Sequence, residues 1–224
     1  MASAPPEFDR QAAVVRSLLG WGVVAGPFFV AFSLVIAANR PGFDLGADSL
    51  GLLLVGGSGW VFGIALVLSG AMTIVAASGL WRTPDWPRTA AVLVAVYGGC
   101  LVLSAFAIPD AAGSVTPTVP GVLHLVFGAI GSLTLGVAAI VAGGWFRRRT
   151  SRGSLWSLVA GIVVIIGFAA GGAVEPESGG VLFTWLGMIV GWLWLALTSI
   201  AAYRAVPHPL RSHRQVPGDE ALGG

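Results

Sequence analysis

The sequence contains no lysine and a single cysteine, and only 10% of its 224 residues are charged, against about 25% in an ordinary soluble domain. Each shortage excludes something. With Cys100 alone, no intrachain disulfide can form and no thiolate metal cage can be assembled. With 56% hydrophobic residues and so few charges, a water-soluble monomer is excluded. The twelve basic residues are all arginine and the net charge is only +2. They border apolar segments instead of forming a patch, so nucleic acid is not an expected partner. Membrane lipids, or another membrane protein, are.

What the chain does have is six apolar runs, at about 17–38, 57–80, 89–109, 122–145, 154–174 and 181–203. Each is near the ~20 residues that cross a ~30 Å hydrocarbon layer, and all are too long for core strands. Markers at their ends, such as Arg16 and Arg40 or Arg152 and Glu175, stand 22 to 24 residues apart, roughly 33–36 Å of helix. The expected fold is all-α, a polytopic membrane protein with six transmembrane helices in one bundle. Residues 17–205 form the helical domain, 1–16 a cytoplasmic N-terminal tail, and 206–224 a disordered cytoplasmic tail.

Orientation follows from the arginines. Eleven fall on one side of this map, among them Arg10, Arg82, Arg88, Arg147 and Arg152, and only Arg40 on the other. The positive-inside rule then places both termini in the cytoplasm of a plasma-membrane protein, with outer loops near 39–56, 110–121 and 175–180. Trp81, Trp145 with Phe146, and Tyr203 precede arginines as interfacial aromatics do. A cleavable signal peptide ending at Val35-Ile36-Ala37 is the competing reading of the first run. That run is longer than the 7–15 residues of a signal core, and its flank mixes Glu7 and Asp9 with the arginines.

In lipid, helices find one another through small residues. Gly22 and Gly26, Gly59 and Gly63, and Gly187 and Gly191 are GxxxG pairs. On the fourth run His124, Gly128, Ser132 and Gly136 recur every four residues, a stripe expected to face the bundle interior. Trp185, Met188 and Trp192 make a bulky stripe expected to face lipid or a packing neighbour. The runs contain no Asp, Glu or Arg, which disfavours charge-coupled transport, because such transporters place ionisable groups at mid-membrane. The mid-membrane polar groups are Ser33, Ser69, Thr73, Ser104, Thr134 and Cys100.

Ionisable groups gather at the outer side instead: Asp44, Asp48, Asp110, Glu175 and Glu177, with His124 one turn inside the fourth run. His208 and His213 fall in the cytoplasmic tail, so His124 is the sole outer imidazole. Beside a carboxylate it is a candidate acid or base, with Asp110 as its partner. The plainer role is a bond to a loop carbonyl or to Asp110 that fastens the third outer connection. A zinc site would need two or three further ligands, all carboxylates, so no metal and no cofactor is expected. Gly56-Gly57-Ser58-Gly59 reads as GxSG, the serine motif of rhomboid-type intramembrane proteases, and invites a Ser58–His124 dyad. With 33 glycines in the chain the motif arises readily by chance, and the other polar residues of that cavity are missing.

Several short motifs together resemble the six-span bacterial membrane family catalogued as a domain of unknown function, DUF998. They are Arg40-Pro41-Gly42-Phe43, Gly59-Trp60-Val61, Gly79-Leu80 before an arginine, Phe106 followed by Pro109-Asp110, and Leu123-His124. Where members carry a His-Pro-x-Ser-like stretch before the Gly-Trp, this chain reads Asp48-Ser49-Leu50-Gly51, so the histidine and serine are not kept in place. The family is similar to eukaryotic six-span proteins associated with lipid handling, which implies no particular reaction. The expectation is therefore a non-enzymatic lipid- or protein-binding bundle with a polar outer pocket built from Asp110, His124, Ser58 and Trp60. The alternative is an outer-leaflet, hydrolase-like enzyme using His124 with Asp110.

Overall fold

The computed structural model describes residues 8–111, 114, 116–173 and 179–210. Among these lie six α-helices and no strand: α1 (Arg10–Ala38), α2 (Gly59–Trp81), α3 (Arg88–Ser104), α4 (Val119–Arg147), α5 (Ser151–Ala173) and α6 (Gly180–Ala205). A short 3-10 turn, Leu50–Leu54, sits between α1 and α2. Glu175, Glu177, Arg211, His213 and Arg214 lie outside the described residues.

Five of the helices are long and apolar enough to cross a membrane; α3, at 17 residues, is shorter than these. The apolar run expected over 89–109 leaves the helix at Ser104. Ala105, Phe106 and Ala107 make tight bonds to the carbonyls of Val102, Leu103 and Ser104, and Pro109 disfavours helical backbone at the residue before it. At the other end of the molecule the connections are short. Thr83 and Trp86 close the α2–α3 turn, and Arg149 and Thr150 bond back to Phe146 before α5 begins.

The helices pack in chain order as a ring, each on its two neighbours, and α6 closes the ring on α1. Exposure runs opposite to that of a soluble protein. The outward faces carry large apolar side chains such as Val35 (61% exposed), Leu155 and Ile166, whereas Ser33, Ser69, Thr73, Ser157 and Ser199 are fully buried. Ser33 Oγ donates to the Phe29 carbonyl at 2.7 Å and Thr73 Oγ1 to that of Ser69 at 2.7 Å. Such bonds satisfy these two hydroxyls where no water reaches, whereas the Oγ atoms of Ser69 and Ser199 have no partner among the described residues.

Two of the helix contacts use the same device. On α2, Gly70-Ala71-Met72-Thr73-Ile74-Val75-Ala76 faces Gly98 and Val102 of α3. On α4, Gly136-Val137-Ala138-Ala139-Ile140-Val141-Ala142 faces Gly161 and Ile165 of α5. A Cβ on Gly98 would come within 2.7 Å of the Gly70 carbonyl oxygen and 2.9 Å of Ile74 Cγ1. One on Gly161 would come within 2.5 Å of the Gly136 oxygen and 2.7 Å of Ile140 Cγ1. The glycines let two backbones touch in each pair, as small residues do in lipid, and the α2–α3 and α4–α5 hairpins are thereby repeats of one packing unit. Of the GxxxG glycines, Gly22 meets Ser199 of α6, Gly26 meets Trp192, and Gly187 packs on Gly167 of α5, whereas Gly59 abuts the Leu54 carbonyl of the 3-10 turn and Gly63 has no close neighbour.

The aromatic residues beside the arginines divide. Trp81 and Tyr203 are exposed and carry Arg88 and Arg16 over their rings at 5.2 and 4.0 Å. Trp145, expected as an interfacial marker, is instead 3% exposed. Its indole N–H donates to the Pro84 carbonyl at 3.2 Å and its ring meets Trp86 edge-on at 4.9 Å, which clamps the α2–α3 turn to α4.

Candidate functional site

The ring is not filled along its whole length. In the half nearer the 3-10 turn it encloses a cavity of about 310 Å³ to which all six helices contribute, at the lower end of the ~300–1,000 Å³ of small-molecule sites. Its floor is aromatic. Trp192 of α6 packs against Phe29 of α1 at 5.6 Å and against Tyr97 of α3 at 5.6 Å, and Phe29 meets Phe62 of α2 at 6.0 Å. Leu66, Leu135, Val164 and Met188 complete the apolar lining.

The opposite wall is polar. Tyr97, Cys100 and Ser104 follow one face of α3, and His124 and Ser132 follow one face of α4, three and four residues apart or multiples of that. At the mouth Ser49, Thr184 and Trp185 join them. Among the described residues the hydroxyls of Tyr97, Ser104, Ser132 and Thr184 have no hydrogen-bond partner, and the only ionisable groups on the wall are His124, Tyr97 and Cys100.

The loop between α1 and α2 folds across this mouth. Gly42 and Gly56 turn it with φ of +76° and +93°, values that favour glycine. Arg40 Nη1 donates to the Leu52 carbonyl at 2.7 Å and Trp185 Nε1 to that of Leu45 at 3.1 Å, tying the loop to α1 and α6. Leu53 and Leu54 are buried beneath it. Asp44 and Asp48 serve the loop itself, accepting from the amides of Gly46 and Asp44.

The four residues expected at the site take different places. His124 lines the cavity, and its Nδ1 lies 2.8 Å from the Ala107 carbonyl. A carbonyl only accepts, so Nδ1 carries a proton. Nε2 lies over Gly51, 2.7 Å from where a Cβ there would stand. Asp110 is off the wall. Its carboxylate accepts from the Thr118 hydroxyl at 2.6 Å and from the Thr118 amide, while Thr118 Oγ1 accepts from the Gly121 amide at 3.2 Å. It thus ties the α3–α4 connection to the start of α4, where negative charge is favoured. Asp110 and His124 bond separate groups. Ser58 precedes α2, exposed and without a capping bond, and Trp60 is 67% exposed; neither lines the cavity.

The stripe on α4 does face inward: His124, Gly128 and Ser132 line the cavity and Gly136 is buried against α5. The bulky stripe on α6 divides, with Met188 and Trp185 on the cavity wall and Trp192 buried in its floor. The contributions of Phe168, Gly171 and Thr184 from α5 and α6 carry no sequence signal that separates them from lipid-facing neighbours.

No curated protein and no solved structure matches the chain. A family model described as "Protein of unknown function (DUF998)" matches residues 23–201, a stretch that holds every residue lining the cavity, and the chain belongs to that family.

Proposed function

We propose that the chain is a non-enzymatic, six-span protein of the plasma membrane, with both termini in the cytoplasm, whose ring cavity holds part of a membrane lipid. The observation that carries this reading is the cavity itself, floored by aromatics, walled by all six helices and lying at the end away from the α2–α3 and α4–α5 turns. The ring supports a span count of six. Helix α3 sits between α2 and α4 along its length, and 17 residues rise about 25 Å, to which the Ala105–Ala107 turn adds. Orientation rests on the arginines, which favour the cytoplasm for the α2–α3 and α4–α5 turns.

A hydrolase-like enzyme built on His124 with Asp110 has less behind it, since each side chain is committed to a different structural bond. The experiment is native mass spectrometry of the protein released from nanodiscs, with lipid extraction of the same sample. A stoichiometric lipid that survives release supports the reading, and bare protein at all release energies contradicts it. Alkaline phosphatase fused after Thr150 is expected to be inactive, and fused after Ser114 active.

A further inference from the structure

We infer that the cavity selects an uncharged single-chain lipid that bears hydroxyl or ester groups, such as a monoacylglycerol, and rejects phospholipid headgroups. The inference rests on the lipid-binding reading above and names the ligand class.

Three observations carry it. The first is charge. No arginine, aspartate or glutamate lies on the wall. Arg40, the outer arginine, is turned onto the Leu52 carbonyl, and Asp110 onto Thr118. A phosphate drawn into the cavity would lose its hydration with no guanidinium to replace it.

The second is unused hydrogen-bonding capacity. Tyr97 is 8% exposed and Ser104 6%, and Ser132 and Thr184 are half-buried; none of these four hydroxyls makes a side-chain hydrogen bond among the described residues. A bare hydrocarbon would leave all four dry and unpaired, which interiors avoid. A ligand with neutral donors and acceptors satisfies them.

The third is their arrangement. Seven residues separate Tyr97 from Ser104 on α3 and eight separate His124 from Ser132 on α4, so the polar wall descends about 10–12 Å below the mouth. That is enough for a glycerol and its ester, with His124 Nε2 as an acceptor near the top. The chain then lies against Phe29, Phe62, Leu66 and Met188 on the facing wall. A volume of about 310 Å³ leaves room for one chain and not for two.

The test is competition against radiolabelled 1-monolaurin bound to the full chain in phosphatidylcholine nanodiscs, using three twelve-carbon competitors: unlabelled monolaurin, lysophosphatidylglycerol and dodecane. Monolaurin is expected to compete at least 10-fold better than lysophosphatidylglycerol. Tyr97→Phe and Ser132→Ala, which remove a hydroxyl with little change of shape, are each expected to weaken monolaurin about 3- to 10-fold and leave dodecane unchanged. Equal competition by lysophosphatidylglycerol, or two hydroxyl-deleted variants that bind monolaurin as the parent does, overturns the inference. If dodecane binds but headgroups are not discriminated, the selectivity fails and the lipid site stands; if none of the three binds, the lipid site fails as well.

Discussion

The indole N–H of Trp194 on α6 donates to Ser157 Oγ on α5 at 2.9 Å, and that hydroxyl donates onward to the Ala139 carbonyl on α4 at 2.6 Å. Both side chains are fully buried. One serine therefore joins three consecutive helices beneath the cavity. Interhelical hydrogen bonds in membranes are worth only ~0.6 kcal/mol on average, but an orphaned buried donor costs more. Ser157→Ala is expected to lower stability by about 1–2 kcal/mol, measured by unfolding in mixed micelles. Ser78→Ala, which removes a bond within α2 alone, should stay within about 0.5 kcal/mol.

Adjacent glycines on α3 have opposite surroundings. A Cβ at Gly98 collides with the α2 backbone, whereas one at Gly99 meets nothing within 4 Å. Gly98→Val should force α2 and α3 apart and cost more than about 2 kcal/mol or abolish folding, while Gly99→Val is near neutral. Gly161→Val on α5, set against Gly144→Val on α4, should reproduce the contrast, because the same packing device is used there. Yield of monodisperse protein and its melting temperature read the difference.

The two polar residues singled out at the outer face should separate in function. Asp110 braces the start of α4 through Thr118, so Asp110→Ala is expected to destabilise by about 1 kcal/mol and leave retained lipid unchanged. His124→Ala removes a group from the cavity wall as well as its bond to Ala107 and is expected to reduce retained lipid. Lipid extraction from the two purified variants, alongside their melting temperatures, checks the separation.

Much of this architecture is legible in the residues. The small-residue spacing on α4 and the GxxxG glycines of α1 and α6 mark helix faces that do pack, because in lipid the close approach of backbones is itself the signal; the Gly59 and Gly63 pair on α2 does not. The end of α3 is not legible, since Ala105 through Ile108 remain as apolar as the helix before them and the break comes from Pro109 and tight backbone bonding. Nor is the α5–α6 wall of the cavity. Phe168 and Met188 face inward and Ile166 and Leu186 outward, but a bilayer and a cavity are equally apolar, so no hydropathy contrast tells them apart. At the outer face, composition points to carboxylates and histidine together. Asp110 is taken up by Thr118, the cap of α4, and the hydroxyls of Tyr97 and Ser132 are the ones left facing the cavity.

Photolabelling tests the lipid site most directly. A monoacylglycerol carrying a diazirine in its chain, activated in nanodiscs containing the protein, should label Leu66, Tyr97, Leu135 or Met188 inside the ring, and excess monolaurin should suppress that label. Labelling confined to outward residues such as Ile64, Leu103 and Ile166, unchanged by competitor, would contradict a lipid-filled cavity.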